Sequence, residues 1–384
     1  LSGTAQITHS GTGTSQSFGL IRFLRNGTTT YTRTSGHQLQ QVKQDVEANN
    51  ILVINSGNIQ VCSHATAATD YLRIRSLGRL QLKAGQIQSD GVYTNSGIQV
   101  ENGGVIEISS ASGLYNSSNT GSISSTGNMN YSLDPNSVVE YVGTANQTLT
   151  GTSYPITTGV NHKYGILKIR IQGENSAIIT ESQIYIRTSL ILESGSIDLN
   201  GQSLVIENGN SNAVQRTGGF VRSESDNGSI VWNNMNSGLH EFPFGTSSTI
   251  YIPVLFTPLT GIGNDVSIST KGTPNSDNSP VPSNLLSTIL SLINFGYAEN
   301  EVIDRWWKVS ATGMTADVTL KFNSAENTLS LPNRLSPLGL RSWNTLSWTQ
   351  PKGYGFAVLS GIGSVTTSNV SQFSNWILGN NNAV

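Results

Sequence analysis

The chain has 384 residues, of which 11% are charged, with 21 lysines and arginines, 23 aspartates and glutamates, and a formal net charge of −2. An average soluble domain is about 25% charged, so small uncharged polar residues replace charged ones here. The balance of charges excludes a basic nucleic-acid binder, and the 36% hydrophobic content excludes a disordered acidic chain.

The amino-terminal segment, residues 1–50, is predicted to end in a cap. Leu39, Val42 and Val46 lie at helical spacing in HQLQQVKQDVEANN (37–50). A short amphipathic helix there would cover the open end of a stack of strands. A surface helix within a loop is the alternative.

Residues 51–215 repeat one short pattern, in which two apolar alternations flank a glycine. The pattern predicts two short strands with one inward face, joined by a tight turn where glycine takes positive φ. Stacked units of this length form a parallel β-helix, whereas an antiparallel meander with hairpins of similar length is the alternative. The copies begin at Ile51, Leu72, Ile98, Ile123 and Ile191, with a half copy at Leu167, and their glycines are Gly57, Gly78, Gly104, Gly127, Gly195 and Gly173.

Residues 216–384 are predicted to form a β-sandwich. All six tryptophans lie beyond residue 215, where the repeat fades and short strands such as RWWKVS and DVTLKF alternate with turn-rich connectors. The segment SNLLSTILSLINF (283–295) is predicted to add one or two helical turns. The predicted fold is therefore all-β, a right-handed parallel β-helix (β-solenoid) followed by a β-sandwich.

A pair of acids on neighbouring turns would suit a polysaccharide-cleaving enzyme, because such enzymes use two carboxylates about 5 to 10 Å apart. No repeat copy places acids at equivalent positions in consecutive units. Glu101 and Glu107 are expected to form surface ion pairs with Arg73, Arg75 and Arg79 instead. The sequence therefore predicts no catalytic residue and a protein that is not an enzyme.

Metal and cofactor sites have little support. Cys62 is the single cysteine and is expected to be a small buried side chain, which excludes a disulfide framework and CxxC motifs. The five histidines have no metal-ligand spacing. Two loops, SESDNGS (223–229) and NSDNSP (275–280), contain oxygens suited to calcium but few carboxylates. Calcium is therefore the one cofactor that the sequence suggests, and it points to no particular metal ligand or cofactor-binding residue.

Trp343 and Trp348, in LRSWNTLSWTQ, are the candidate ligand-binding residues. Exposed aromatic rings stack on the faces of sugars, so this pair could form a carbohydrate platform. The alternative is that both rings pack between the sheets of the sandwich, because aromatic side chains are dominant core fillers.

Several segments resemble the repetitive β-helical surface proteins and adhesins that the bacterial type IX secretion system exports. They are SVVEYVGTANQTL (137–149) and the stretch from YGILKIRIQ to LVIENG (164–209). The segments FPFGTSSTIYIPVLFTP (242–258), DRWWKVS (304–310) and FSNWILGN (373–380) look like the sandwich that follows in such proteins. The resemblance implies export and display. Such proteins usually carry a C-terminal sorting domain, which is absent here, so the resemblance also implies trimming at both ends.

The expected location is extracellular or at the cell surface. The chain begins with Leu1 rather than methionine, which is typical of a processed, exported protein. Its longest apolar stretch, LLSTILSLI (285–293), is shorter than the roughly 18 apolar residues that a membrane span needs.

The expected function is that of a non-enzymatic structural or adhesive protein that assembles with copies of itself into a fibre, sheath or surface layer on a bacterial cell. A net charge near zero favours such association. A secreted carbohydrate-binding or polysaccharide-cleaving β-helix protein is the alternative. The expected partners are thus copies of the same chain and extracellular polysaccharide or matrix, without nucleic acid.

Overall fold

The computed structural model describes residues 19–23, 27–31, 42–56, 58–61, 71–89, 97–116, 118, 120–125, 130–151, 162–180, 183–225, 227–274, 302–329, 335–343 and 349–380. The chain divides into two compact units, Leu1–Ser196 and Ile197–Val384. The domain boundaries predicted after residues 50 and 215 stay predictions. The regular elements of the described residues are strands and two 3₁₀ turns, Ser211–Ala213 and Ser324–Glu326, which confirms the all-β class.

The strands in the first unit are β1 (Gly19–Phe23), β2 (Gly27–Tyr31), β3 (Val42–Val46), β4 (Asn50–Ile54), β5 (Asn58–Val61), β6 (Tyr71–Ile74), β7 (Arg79–Leu82), β8 (Gln86–Ser89), β9 (Gly97–Val100), β10 (Val105–Ile108), β11 (Ile123–Ser125), β12 (Asn130–Leu133), β13 (Val138–Tyr141), β14 (Gln147–Leu149), β15 (Tyr164–Arg170), β16 (Ser176–Ile179) and β17 (Ile184–Ser194). Strand β18 (Ser196–Asp198) lies at the boundary between the units.

The strands in the second unit are β19 (Ser203–Ile206), β20 (Val214–Arg216), β21 (Phe220–Arg222), β22 (Ser229–Trp232), β23 (His240–Phe242), β24 (Gly245–Ser247), β25 (Ile250–Tyr251), β26 (Val254–Thr260), β27 (Val266–Gly272), β28 (Val302–Ala311), β29 (Thr315–Asn323), β30 (Pro337–Ser342), β31 (Lys352–Phe356), β32 (Ile362–Val370) and β33 (Asn375–Asn380).

The first unit is a β-solenoid whose turns stack by parallel strand pairing. One sheet has the order β1-β3-β6-β9-β12, and a second runs through β2, β4, β7, β10, β13, β15 and β17. A third has the order β5-β8-β11. This parallel pairing confirms the solenoid and is incompatible with an antiparallel meander. A turn contains three strands. The predicted unit had only two, and it omitted the strand of the third sheet, such as β8.

The second and third repeat copies stack in the predicted register. Leu72 pairs with Ile98, and Leu80 pairs with Ile106, and all four side chains are fully buried. The first copy was assigned wrongly. The repeat aligned Ile51 with Leu72 of β6, but β4 pairs with β7, so that Leu52 lies beside Leu80 and Ile51 lies beside Arg79. A shift of one residue exchanges the two faces of a strand, so pairing rather than local alternation decides which residues face inward.

Two later copies also have a different phase from the predicted one. Ile123 lies in β11 and pairs with Ile87 in the third sheet, whereas Tyr131 lies in β12 and pairs with Ile98 in the first sheet. In the second half of β17, Leu190 and Leu192 are fully buried, whereas Ile191 is not. Insertions between strands therefore move the later turns out of the spacing that the sequence suggested.

Glycines at one corner of the coil are required by close backbone approach rather than by positive φ. A Cβ atom on Gly78 would lie 2.4 Å from the carbonyl oxygen of Val46, and one on Gly104 would lie 2.7 Å from that of Ile74. Each glycine thus lets its turn stack tightly on the preceding one. At this corner the positive φ is found one residue earlier, at Leu77 (62°) and Gly103 (75°), whereas the repeat glycines Gly173 (66°) and Gly195 (73°) take the predicted positive φ themselves.

The helix predicted over residues 37–50 is wrong over its described part. Residues 42–46 form β3, which pairs with β1 and β6, and β4 begins at Asn50. Gln44, Asp45 and Val46 of β3 are all buried, and β-branched valine suits a pleated strand. The helix predicted over residues 283–295, as well as Cys62, lies outside the described residues.

The second unit changes from parallel to antiparallel pairing at one strand. Strand β22 pairs in parallel with β19 on one side and antiparallel with β27 on the other. One antiparallel layer has the order β27-β28-β33-β30, and another has the order β23-β26-β29-β32-β31, with β30 paired to β31. This arrangement is the predicted sandwich-like region.

Aromatic side chains fill the core of the second unit. Trp232, Trp306, Trp307 and Trp376 are all 1% exposed or less. The ring of Phe373 contacts that of Trp376 in β33, with centroids 6.0 Å apart, and also that of Phe256 in β26, 5.9 Å away. These contacts tie the two antiparallel layers together, as expected of large rings in a sandwich core.

Candidate functional site

A row of polar side chains crosses the outward face of the second solenoid sheet. Gln81, Glu107, Glu140 and Lys168 occupy one register position on the successive parallel strands β7, β10, β13 and β15. The expectation that no consecutive turns carry equivalent acids is therefore wrong for Glu107 and Glu140. They lie 33 residues apart in sequence because β11, β12 and their connectors separate them.

Cations hold this pair of acids from both sides. Arg79 donates from one nitrogen, Nη1, to Oε2 of Glu107 and to Oε2 of Glu140, both at 2.8 Å. Arg170 donates from Nε to the other oxygen of Glu140, also at 2.8 Å. Lys168 forms an ion pair with Glu193 at 2.7 Å. We call these six residues, Arg79, Glu107, Glu140, Lys168, Arg170 and Glu193, the charge ladder.

The protonation state of Glu140 decides whether this carboxyl group can act as a general acid. Two carboxylates that share a donor are close enough for glycoside hydrolysis, but that reaction needs one of them to be protonated. Burial alone would raise the pKa of Glu140, whose side chain is 2% exposed, but hydrogen bonds from Arg79 and Arg170 hold it below its ordinary value. Glu140 is therefore ionised at neutral pH, and its geometry favours linking turns over donating a proton.

A second ion-pair cluster lies at the corner between sheets. Arg75 binds Asp45 at 3.0 Å and Glu101 at 2.7 Å, so that one guanidinium joins three turns. Together with the contact between Arg79 and Glu107, this confirms that Glu101 and Glu107 form ion pairs with arginines of the preceding turn. Such partly exposed ion pairs each contribute little to stability. Here they contribute as a network, because they recur from turn to turn of the coil.

A buried cluster of aromatic side chains lies inside the solenoid. The Tyr141 and Tyr164 hydroxyls lie 2.9 Å apart, and the Tyr164 hydroxyl donates to the carbonyl of Thr150 at 2.9 Å. The His162 ring packs against that of Tyr164 with centroids 4.6 Å apart. Burial, with a smaller effect from the charge of Arg187, lowers the pKa of His162 to about 3. This histidine is thus neutral and packed in the core at neutral pH.

The first candidate calcium loop is used in another way. Glu224 of SESDNGS (223–229) pairs through Oε1 with Arg305 at 2.8 Å and accepts from the Gly272 amide through Oε2 at 2.8 Å. Both oxygens of that carboxylate are therefore engaged by the protein. Loop 275–280 lies outside the described residues, and within the described part of the chain no three His, Cys, Asp or Glu side chains cluster as metal ligands would.

Of the two candidate carbohydrate-binding residues, Trp343 lies within the described residues. Trp343 is 7% exposed, and its amide donates to the Asn375 carbonyl in β33 at 2.9 Å. Little of its ring face is therefore open to a sugar. Trp348 lies outside the described residues.

A different aromatic pair is exposed on β31, whose sequence is KGYGF. Tyr354 is 55% exposed and Phe356 is 53% exposed, and their rings lie 4.8 Å apart in an edge-to-face arrangement. Between them Gly355 faces inward, where a Cβ atom would lie 2.1 Å from the carbonyl oxygen of Ser364. Sequence reasoning missed this pair, although glycines alternating with aromatic residues are a readable signal of a strand that places its rings outward.

The described residues contain no helix that is long and apolar enough to cross a membrane. Comparisons with protein families, with curated proteins and with solved structures find no match for the chain.

Proposed function

We propose that this chain is a non-enzymatic structural or adhesive protein that acts outside a bacterial cell and associates with copies of itself. The observation that carries the proposal is the amino-terminal edge of the solenoid. Among the described strands, β1 and β2 each pair on one side only, with β3 and β4. Unpaired N–H and C=O groups along such an edge are a template for pairing with another chain.

The sequence of β2, GTTTY, supports pairing at this edge. Gly27 and Thr28 are exposed, and Thr29 and Thr30 are half-buried. The strand contains neither proline nor a charged residue, which are the usual means of blocking an edge. Its threonines also favour the extended conformation.

In the second unit, β22 is the last strand of a parallel pair and is occupied on both sides, by β19 and by β27. Because β22 offers no free edge, we place the contact between the amino-terminal edges of two copies. Such a contact is two-fold, and assembly into a fibre, sheath or layer needs a further contact for each copy.

Two properties of the surface agree with a structural role. The charge ladder joins successive turns through ionised groups, which suits a protein that bears load. A net charge of −2 over 384 residues gives little repulsion between copies. The sequence resemblance adds export by the bacterial type IX secretion system to the proposal.

Sedimentation velocity over a range of concentrations tests the proposal, with the variants Thr29→Pro and Thr30→Pro as a matched pair. Successive residues of a strand direct their N–H groups to opposite sides, so one proline removes a donor at the open edge and the other removes one bonded to β4. The wild type is expected to sediment faster as its concentration rises. The open-edge proline should abolish that rise at an unchanged melting temperature, whereas the other proline should lower the melting temperature.

Two results would contradict the proposal. One is a wild type that sediments as a single copy at every concentration. The other is self-association that survives both prolines, because the contact would then lie elsewhere.

A further inference from the structure

The outward side of β31 and its neighbours forms a patch whose aromatic rings are exposed and lie outside the core. Tyr354 lies opposite Thr366 of β32, and Phe356 lies opposite Ser364. Thr366 and Ser364 are in turn opposite Thr319 and Lys321 of β29. We call these residues, Tyr354, Phe356, Ser364, Thr366, Thr319 and Lys321, the aromatic face.

The aromatic face is built against the ordinary rule for a strand. Gly355 takes the inward position opposite the buried Val365, while the two large rings of β31 point to solvent. Turning the strand over would bury both rings, and a buried aromatic side chain contributes more to stability than an exposed one. An exposed apolar cluster with a polar border is typical of a binding surface.

The groups beside the rings are hydroxyls. The Thr319 and Thr366 hydroxyl oxygens lie 2.9 Å apart, and Ser364 is exposed beside them. Neighbouring strands are about 4.8 Å apart, so the hydroxyls of β32 lie roughly the width of one sugar ring from the aromatic rings of β31. Aromatic faces stack on the C–H face of a pyranose, and serine and threonine hydroxyls hydrogen-bond its hydroxyls.

Charge selects among sugars. Residues 327–384 contain no aspartate or glutamate, and strands β30 to β33 all lie within them. Lys321 lies on the aromatic face, and the exposed Lys352 begins the same strand as the two rings. Strand β29 also carries Asp317, whose Oδ1 accepts from the Asn369 amide at 2.9 Å, and strands β30 to β33 add no carboxylate. The ammonium groups of Lys321 and Lys352 thus outnumber the carboxylates that the strands of the face contribute, which complements an anionic ligand.

We propose that the aromatic face binds an acidic polysaccharide, with the rings stacked on its sugars and Lys321 paired with a carboxylate. The proposal rests on the adhesive role proposed above and names its ligand class. Pairing of two copies would present two such faces, which raises the overall affinity for a polymer without any new contact.

Native gel electrophoresis in gels cast with polygalacturonate, or with dextran as a neutral polymer, tests this. The chain has a net charge of −2, so it has no general attraction to a polyanion, and retardation requires a local site. We expect retardation by polygalacturonate alone. The double variant Tyr354→Ala, Phe356→Ala should bind about thirtyfold more weakly, since each of the two rings contributes about 1 kcal/mol and about 1.4 kcal/mol corresponds to tenfold in affinity. Lys321→Gln should weaken binding and reduce its dependence on salt.

The control is Leu259→Ala, which removes an exposed side chain (46%) elsewhere in the second unit and should leave retardation unchanged. Melting temperatures verify that each variant is folded. Equal retardation by dextran would overturn the choice of an acidic ligand. Binding that survives the double variant, or no binding at all, would overturn the site. A double variant that loses only self-association would assign the face to a second copy, which also overturns the proposal.

Sedimentation of the same samples separates this proposal from the one on which it rests. Self-association without retardation would reject the ligand and keep the structural role. Retardation of a chain that sediments only as single copies would keep the site and reject self-assembly.

Discussion

Glu107 and Glu140 occupy the same register position on adjacent parallel strands and accept hydrogen bonds from one nitrogen of Arg79, each at 2.8 Å. Two like charges on neighbouring strands would repel each other without that shared donor. Arg79 thereby converts an unfavourable pair into a contact that spans three turns, because it also belongs to β7. The stability of the coil therefore depends on this network.

Replacing Glu140 by glutamine should destabilise the first unit. The change removes a buried carboxylate that accepts from two arginines, and we expect a loss of about 2 kcal/mol. Urea unfolding measures it. Glu101→Gln is the control, because Glu101 is 30% exposed and should lose less than about 1 kcal/mol. Equal losses in the two variants would mean that the charge ladder has no special role.

The same carboxylate predicts a dependence of stability on acid. Its pKa is lower in the folded chain, so its contribution is fully present above the ordinary value of 4.5 and is lost as pH falls through the folded pKa. In urea unfolding at pH values below 4.5, Glu140→Gln should show a shallower loss of stability than the wild type. Parallel curves for the two proteins would contradict this.

His162 should govern stability at milder acidity. Its pKa falls from 6.5 to about 3 on folding, so the folded state is favoured above 6.5 and loses that advantage as pH falls toward 3. At pH 5 the loss amounts to about 2 kcal/mol, since one pKa unit corresponds to about 1.4 kcal/mol. His162→Phe, which keeps a ring beside Tyr164, should flatten the curve of unfolding free energy between pH 6.5 and 4.5. An unchanged slope would show that this histidine does not titrate on unfolding.

Arg305 should be essential to the second unit. It is 1% exposed and donates to Glu326 from Nε and Nη2 at 2.9 and 2.7 Å, while Glu224 binds the same guanidinium. Arg305→Met leaves two partly buried carboxylates without their cation, which should cost about 3 to 5 kcal/mol. Lys308→Met, at an exposed position of the same strand, should change stability by less than about 0.5 kcal/mol. Similar unfolding midpoints for the two variants would contradict the structural role of Arg305.

Leu77 offers a stabilising substitution. It is 64% exposed with φ of 62°, and its amide donates to the carbonyl of Gly103, the residue with positive φ in the next turn. A left-handed conformation costs a leucine roughly 1 kcal/mol, so Leu77→Gly should raise the unfolding free energy by about that amount, less the entropy that glycine loses. Gly103→Ala should have the opposite effect in the same assay. A destabilised Leu77→Gly would mean that the exposed side chain contributes packing that outweighs its backbone strain.

The sequence was informative where local pattern and tertiary pairing agree. Leu72 and Ile98 are in register because their turns have similar lengths, so the solenoid could be predicted from spacing alone. Leu52 could not be placed, since apolar residues occupy both faces of β4 and only pairing with β7 selects one. The predicted helix failed for a related reason: Val42 and Val46 fit a helical spacing, but the neighbouring strands β1 and β6 impose an extended chain.

The candidate site was less predictable because its residues are distant in sequence. Glu107 and Glu140 could have been matched by comparing VIEI with VVEY, which carry the acid at the same position. Fixed repeat spacing instead aligned VIEI with residues near Met129. The exposure of Tyr354 and Phe356 depends on which face of β31 meets the core, and that is set by its pairing with β32. A propensity scale favours a strand for both aromatic residues but does not say which face of the strand they occupy.

Electron microscopy of the purified chain at high concentration tests the central claim most directly. The account predicts particles that contain two or more copies of the 41.0 kDa chain, and their dispersal in the variant whose proline removes the N–H at the open edge of β2. Uniform single copies at every concentration would contradict it.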